Sequence, residues 1–150
     1  MSCGGKYHSG HCVSDILREI ADAQNNIHDC ACDSSCEQSI ADLLGDTSPA
    51  SNLDTVPVIL YCKDCKPFKG YGAPLNQVQN VFGSFYFRVK CIDKDQCAVL
   101  ELLKTPSCQK RDPRSPVEQD TSNLRGTGVC ITVDVKCFCH ITCLPAINAL

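Results

Sequence analysis

The stretch VCITVDVKCFCHITC, residues 129–143, decides the fold. Every odd position is Val, Ile or Cys: Val129, Ile131, Val133, Val135, Cys137, Cys139, Ile141 and Cys143. Most even positions are polar: Thr132, Asp134, Lys136, His140 and Thr142. Successive side chains of an extended chain point to opposite faces, so a period of two marks a strand with one buried face. The run reads as one long strand, straight or bent in its middle. That phase puts Cys137, Cys139 and Cys143 on the apolar face and Cys130 on the opposite one.

Such a strand needs partners, and the preceding segments supply them. Val81–Ile92 alternates in the same way, with Phe85, Phe87, Val89 and Cys91 on one face and Tyr86, Arg88 and Lys90 on the other. The turn DKDQ (93–96) joins it to Cys97–Leu103, which predicts a hairpin. Val56–Tyr61 is a shorter strand, limited at its start by Pro57. Residues 62–80 hold Pro67, Gly70, Gly72 and Pro74 and read as irregular. Residues 105–127 carry three prolines and scattered charges and read as a long surface loop.

Before the strands the period changes to that of a helix. Val13, Ile16, Leu17, Ile20, Ala21 and Ile27 predict a helix over about 12–28. The cluster CACDSSC (30–36) interrupts it. A second helix is expected from Cys36 to Leu44, because Ser35 and Gln38 have capping-box spacing and Gly45 suits a left-handed terminus. The fold class is therefore α+β: short N-terminal helices, then a compact antiparallel β sandwich or barrel. The organisation expected is a flexible cysteine-bearing arm over 1–12 and one domain over 13–150, helical over 13–45 and β-rich over 55–144.

Composition narrows the function. The chain has 14 cysteines among 150 residues, no Trp and a net charge of -3. No apolar run approaches the ~18 residues that span a bilayer, which excludes insertion in a membrane by a helix. A mildly acidic chain without a basic stripe is also a poor partner for nucleic acid. Cysteine at this density usually marks a disulfide framework in an oxidising compartment. The opening MSCGGKYHSGHC, however, lacks the apolar core of ~7–15 residues that a secretory signal needs. Three explanations remain: the thiols bind metal, they do redox chemistry, or they oxidise after synthesis.

Structural zinc prefers paired C-x2-C knuckles, and one such pair exists, Cys62 with Cys65. His8 and His11 beside Cys12 suit a polar tail as well as an adventitious ion. Cys62 and Cys65 follow a strand, as reactive pairs of thioredoxin-like proteins do. Their activation needs a helix N-terminus, and KPFKGYGAP (66–74), with two Gly and two Pro, cannot begin one. No G-x-S-x-G, phosphate-binding glycine loop or H-E-x-x-H is present, and His28 and His140 stand alone. Neither an enzyme nor a cofactor is expected.

Covalent cross-linking is left. Cys3 and Cys12 on the arm, Cys108 in the long loop and Cys130 on an outer strand face are candidates for bridges between subunits. Cys30, Cys32, Cys36, Cys62, Cys65, Cys91, Cys97, Cys137, Cys139 and Cys143 are expected to pair within the chain or to lie buried, where Cys packs as a small hydrophobe. Fourteen cysteines, if all paired, allow about 135 thousand connectivities, so the pattern itself is open. Charge adds a second clue. Residues 1–56 carry 2 basic and 9 acidic side chains, whereas residues 57–114 carry 10 and 5. That asymmetry suits head-to-tail contacts between copies, or simply two solvated surfaces.

The segments CITVDVKCFCHITCL (130–144), FRVKCIDKDQCAVLELL (87–103), VPVILY (56–61) and the opening MSCGG…HCVSDIL resemble the CotY/CotZ/ExsY family of spore coat proteins. The likeness spans nearly the whole chain, with the C-x-C-x3-C strand its most specific part and a looser match at 30–36. Cys62, Cys65, Cys91 and His140 depart from the family pattern. The resemblance implies a structural protein of the outermost spore layer, the crust or the exosporium basal layer. It implies self-assembly into a hexagonal two-dimensional lattice of homo-oligomers locked by disulfides, with other spore coat or exosporium proteins as partners. It also implies synthesis in the mother-cell cytoplasm and oxidation afterwards. A metal-binding or thiol-redox module built on Cys62 and Cys65 is the alternative.

Overall fold

A computed structural model of the chain describes residues 12–25, 32–45, 52–106 and 112–150. The chain divides into two compact units, with the boundary after Asp33.

The first unit holds α1 (Cys12–Asn25). Its expected extension to residue 28 lies outside the described residues. Asp15 sits in its first turn, where a negative charge suits the helix dipole, and Arg18 approaches it at 3.9 Å. The apolar stripe read from the sequence is present, and Val13, Ile16, Leu17 and Ile20 are exposed along it.

The second unit opens with α2 (Cys36–Leu44). Ser35 caps it, its hydroxyl accepting from the Gln38 backbone N–H at 3.1 Å, and Gly45 closes it at φ 79°. The capping is one-sided, because the Gln38 amide turns forward and donates to Asp42 at 2.9 Å. Seven strands follow among the described residues: β1 (Val58–Cys62), β2 (Gly70–Gly72), β3 (Phe82–Ser84), β4 (Phe87–Ile92), β5 (Cys97–Lys104), β6 (Arg125–Asp134) and β7 (Phe138–Cys143). Five form an antiparallel sheet in the order β6-β5-β4-β1-β7, and β2 pairs with β3 in a small second sheet. The fold is α+β, as the sequence predicts. No helix among the described residues is long and apolar enough to cross a membrane.

The deciding stretch is two strands. A 3-10 turn at Val135–Cys137 breaks it, and the halves occupy opposite edges of the sheet. Asp134 drives the break: its carboxylate accepts from the Lys136 N–H at 2.9 Å, a local bond that competes with the ladder. Before the turn the odd residues face inward, as read. After it Phe138 packs on the core, and the phase expected for Cys137 and Cys139 is lost.

The predicted hairpin forms, but Val81–Ile92 is not one strand. β3 and β4 are separated at Phe85–Tyr86, where Ser84 donates to the Leu103 carbonyl at 2.6 Å and accepts from the Tyr86 N–H at 3.0 Å. As a result Phe85 and Phe87 enter different clusters. Residues 62–80 are not wholly irregular, since they contain β2. A Cβ on Gly70 would meet Ile131 at 2.7 Å and Phe87 at 2.8 Å, so glycine is what lets this strand's backbone lie on the core.

The main sheet packs a core cluster on each face. Val58 and Leu60 of β1 enter one cluster with Phe87, Ala98, Leu100 and Leu102, packed by Phe68 and Phe82. Ile59 enters the other with Phe85, Tyr86, Leu103, Leu124 and Ala149. The described part of the 105–127 loop is therefore not a plain surface loop. Gln119 is buried within it, accepting from the Phe85 N–H at 2.9 Å and donating to Ser84 at 3.0 Å. On the first face the cover is incomplete. An apolar groove of about 610 Å³ stays open, lined from all five strands by residues that include Val89, Ile92, Leu100, Val133, Phe138 and Ile141.

Candidate functional site

The chemistry-bearing groups are the thiols, and their placement follows from the breaks in the strands. Cys36 and Cys143 form a disulfide, Cα–Cα 4.9 Å, across 107 residues of sequence. It ties the start of α2 to the end of β7, beside a second link in which the Ser39 hydroxyl donates to the Leu144 carbonyl at 2.7 Å. Spacing alone gave no signal for this pair. Cys12 is also disulfide-bonded, so it is not a free thiol for a neighbour. Cys3, Cys30 and Cys108 lie outside the described residues.

Eight cysteines among the described residues are free, and seven of them are exposed: Cys32, Cys65, Cys91, Cys97, Cys130, Cys137 and Cys139. Cys62 is half-buried. Cys130 sits on the outward phase of β6, opposite Glu101. The other six exposed thiols, for which the sequence predicts pairing or burial, are free and exposed, and they stand at turns, irregularities or element ends. Cys65 stands in a tight turn at φ 68°, its N–H bonded to the Cys62 carbonyl at 2.9 Å. Cys91 follows a register shift from Val89 that disturbs the alternation of β4. Cys97 opens β5 beside the hairpin turn, where its N–H donates to the Asp93 carboxylate at 2.9 Å. Cys137 ends the 3-10 turn, Cys139 lies beyond it on the groove wall, and Cys32 precedes α2.

Cys62 and Cys65 do not stand at a helix start; the turn that holds them leads to β2. No group of three or more His, Cys, Asp or Glu among the described residues is arranged to hold a metal ion. His140 stacks on Tyr61 with ring centroids 4.1 Å apart, which accounts for it as a packing residue. Burial pushes the Cys62 thiol above its ordinary pKa, and Asp64, Cys137 and Cys139 push it further.

The described residues thus make a cysteine-rich helix-plus-sheet fold with a bridge between Cys36 and Cys143 and free thiols exposed on its surface. The chain belongs to the spore coat protein Z family, whose model matches residues 1–146. It is 29% identical over 142 residues to spore coat protein Z of Bacillus subtilis (strain 168), covering 89% of this chain and 88% of that protein. No solved structure matches it. Membership gives the chain a structural role in the spore coat.

Proposed function

We propose that the protein is a building block of the outer spore surface, crust or exosporium, that assembles with copies of itself into a two-dimensional, hexagonal lattice and is then locked by disulfides between subunits. The observation that carries this reading is the set of seven exposed free thiols among the described residues. Free cysteine is among the most buried residue types, so exposure on this scale runs against its ordinary behaviour. An exposed thiol adds little to the fold, but it can meet a thiol of a neighbour. One internal bridge contributes about 2–4 kcal/mol to a subunit. Bridges between subunits act differently, because they make dissociation depend on a reductant. Cys130 and the thiols of the 62–65 and 137–139 segments are the described candidates, with Cys3 and Cys108 as further ones. The lattice would bind other coat or exosporium proteins on its faces.

Electron microscopy of the purified full-length protein tests the lattice. Ordered sheets are expected, and after oxidation they should survive denaturant without reductant. Protein that stays monodisperse in both redox conditions would remove the proposal.

A further inference from the structure

Three free thiols that the sequence separates are brought to one end of the β1–β7 pair. The register sets Cys62 opposite Phe138, the residue between Cys137 and Cys139, after a slip in the ladder at Tyr61/Cys62. The Cys139 thiol donates to the Cys62 carbonyl oxygen at 3.1 Å. Cys137 and Cys139 are exposed, and Cys62 between them is half-buried. An exposed thiol beside a sheltered one is the arrangement of an attacking and a resolving cysteine.

We propose that Cys62, Cys137 and Cys139 form a thiol–disulfide exchange centre, in which Cys62 resolves disulfides formed by the two exposed thiols with incoming partners. In the first step the exposed thiol, as thiolate, attacks a disulfide R–S–S–R. One sulfur leaves as R–S⁻ and takes a proton, and a mixed disulfide remains on Cys139 or Cys137. In the second step the Cys62 thiolate attacks the protein sulfur of that mixed disulfide. An internal bridge to Cys62 forms, the bond to R breaks, and R–S⁻ takes up the proton that Cys62 lost. The incoming disulfide is the sole oxidant and two electrons balance over the two steps. In an assembling sheet, and resting on the assembly proposed above, the second step would release a wrongly linked neighbour. Its rate should rise with pH, since the attacking group is the Cys62 thiolate and its pKa is raised by burial and by the neighbouring groups.

The test uses the full-length reduced protein and a substoichiometric amount of dithiobis(nitrobenzoate), with peptide mass mapping. The reagent replaces the neighbour's thiol, so the result does not depend on whether sheets form. In the wild type, peptides joining Cys62 to Cys139 or Cys137 are expected, with the second nitrobenzoate thiolate released in a first-order phase independent of protein concentration. In Cys62→Ser, and equally in Cys62→Ala, the adduct should persist on Cys139 or Cys137 at least tenfold longer. Persistence of the adduct in the wild type overturns the proposal, and so does unchanged release in both variants.

Discussion

Cys143 shows how much one side chain can decide. Its bridge to Cys36 closes a loop of 107 residues, and a long closed loop removes much freedom from the unfolded chain. Cys143→Ser should therefore lower the stability of the second unit by about 2–4 kcal/mol, read from denaturant unfolding of reduced and oxidised samples. Reduction of the wild type should give a comparable loss. Gly70 is a second such position. Gly70→Ala forces a methyl group onto Ile131 and Phe87, and overpacking of this kind costs about 1–3 kcal/mol. Thermal melts would record it. Asp54 links stability to pH. Burial acts to raise its pKa, but the Ala149 N–H at 2.9 Å, the Thr55 hydroxyl at 2.7 Å and the nearby Arg88 outweigh it and hold the carboxyl below its ordinary value. A depressed pKa contributes stability above the unfolded value, lost as pH falls through the folded one. The wild type should thus weaken below about pH 4, and Asp54→Asn should flatten that part of the acid titration. None of these partners is near its residue in sequence except Thr55, so only the residue types were legible beforehand.

Elements read from periodicity came through where local bonding agreed with the pattern. α2, with a cap at Ser35 and a glycine end at Gly45, is where its sequence signals place it. The hairpin around 93–96 is too, fixed by Asp93, whose carboxylate accepts from the Asp95 and Cys97 N–H groups. The pattern is interrupted where a side chain captures the backbone instead. Asp134 breaks the last strand and Ser84 breaks the one before β4, and periodicity cannot register either bond. The exposed thiols at Cys137 and Cys139 follow directly from the first of these breaks. Over residues 112–124 the expected loop is a loop, and the buried Gln119 amide gives it bonds that no ladder supplies. Gln119→Leu leaves the Phe85 N–H without its acceptor and should cost about 1–3 kcal/mol, with faster amide exchange at Phe85.

On the scale of the whole molecule, the described cysteines divide into bridged ones and free, mostly exposed ones. Cys36 and Cys143 hold the second unit together, whereas the exposed thiols contribute nothing visible to its core. The high cysteine count alone suggested a stapled domain, and only burial and pairing divide the thiols in this way. The most direct test of that division is electrophoresis of the oxidised, boiled protein with and without reductant. The account predicts a ladder of multimers that collapses with reductant to one band near 16.3 kDa. A single band of that size in both lanes would contradict it.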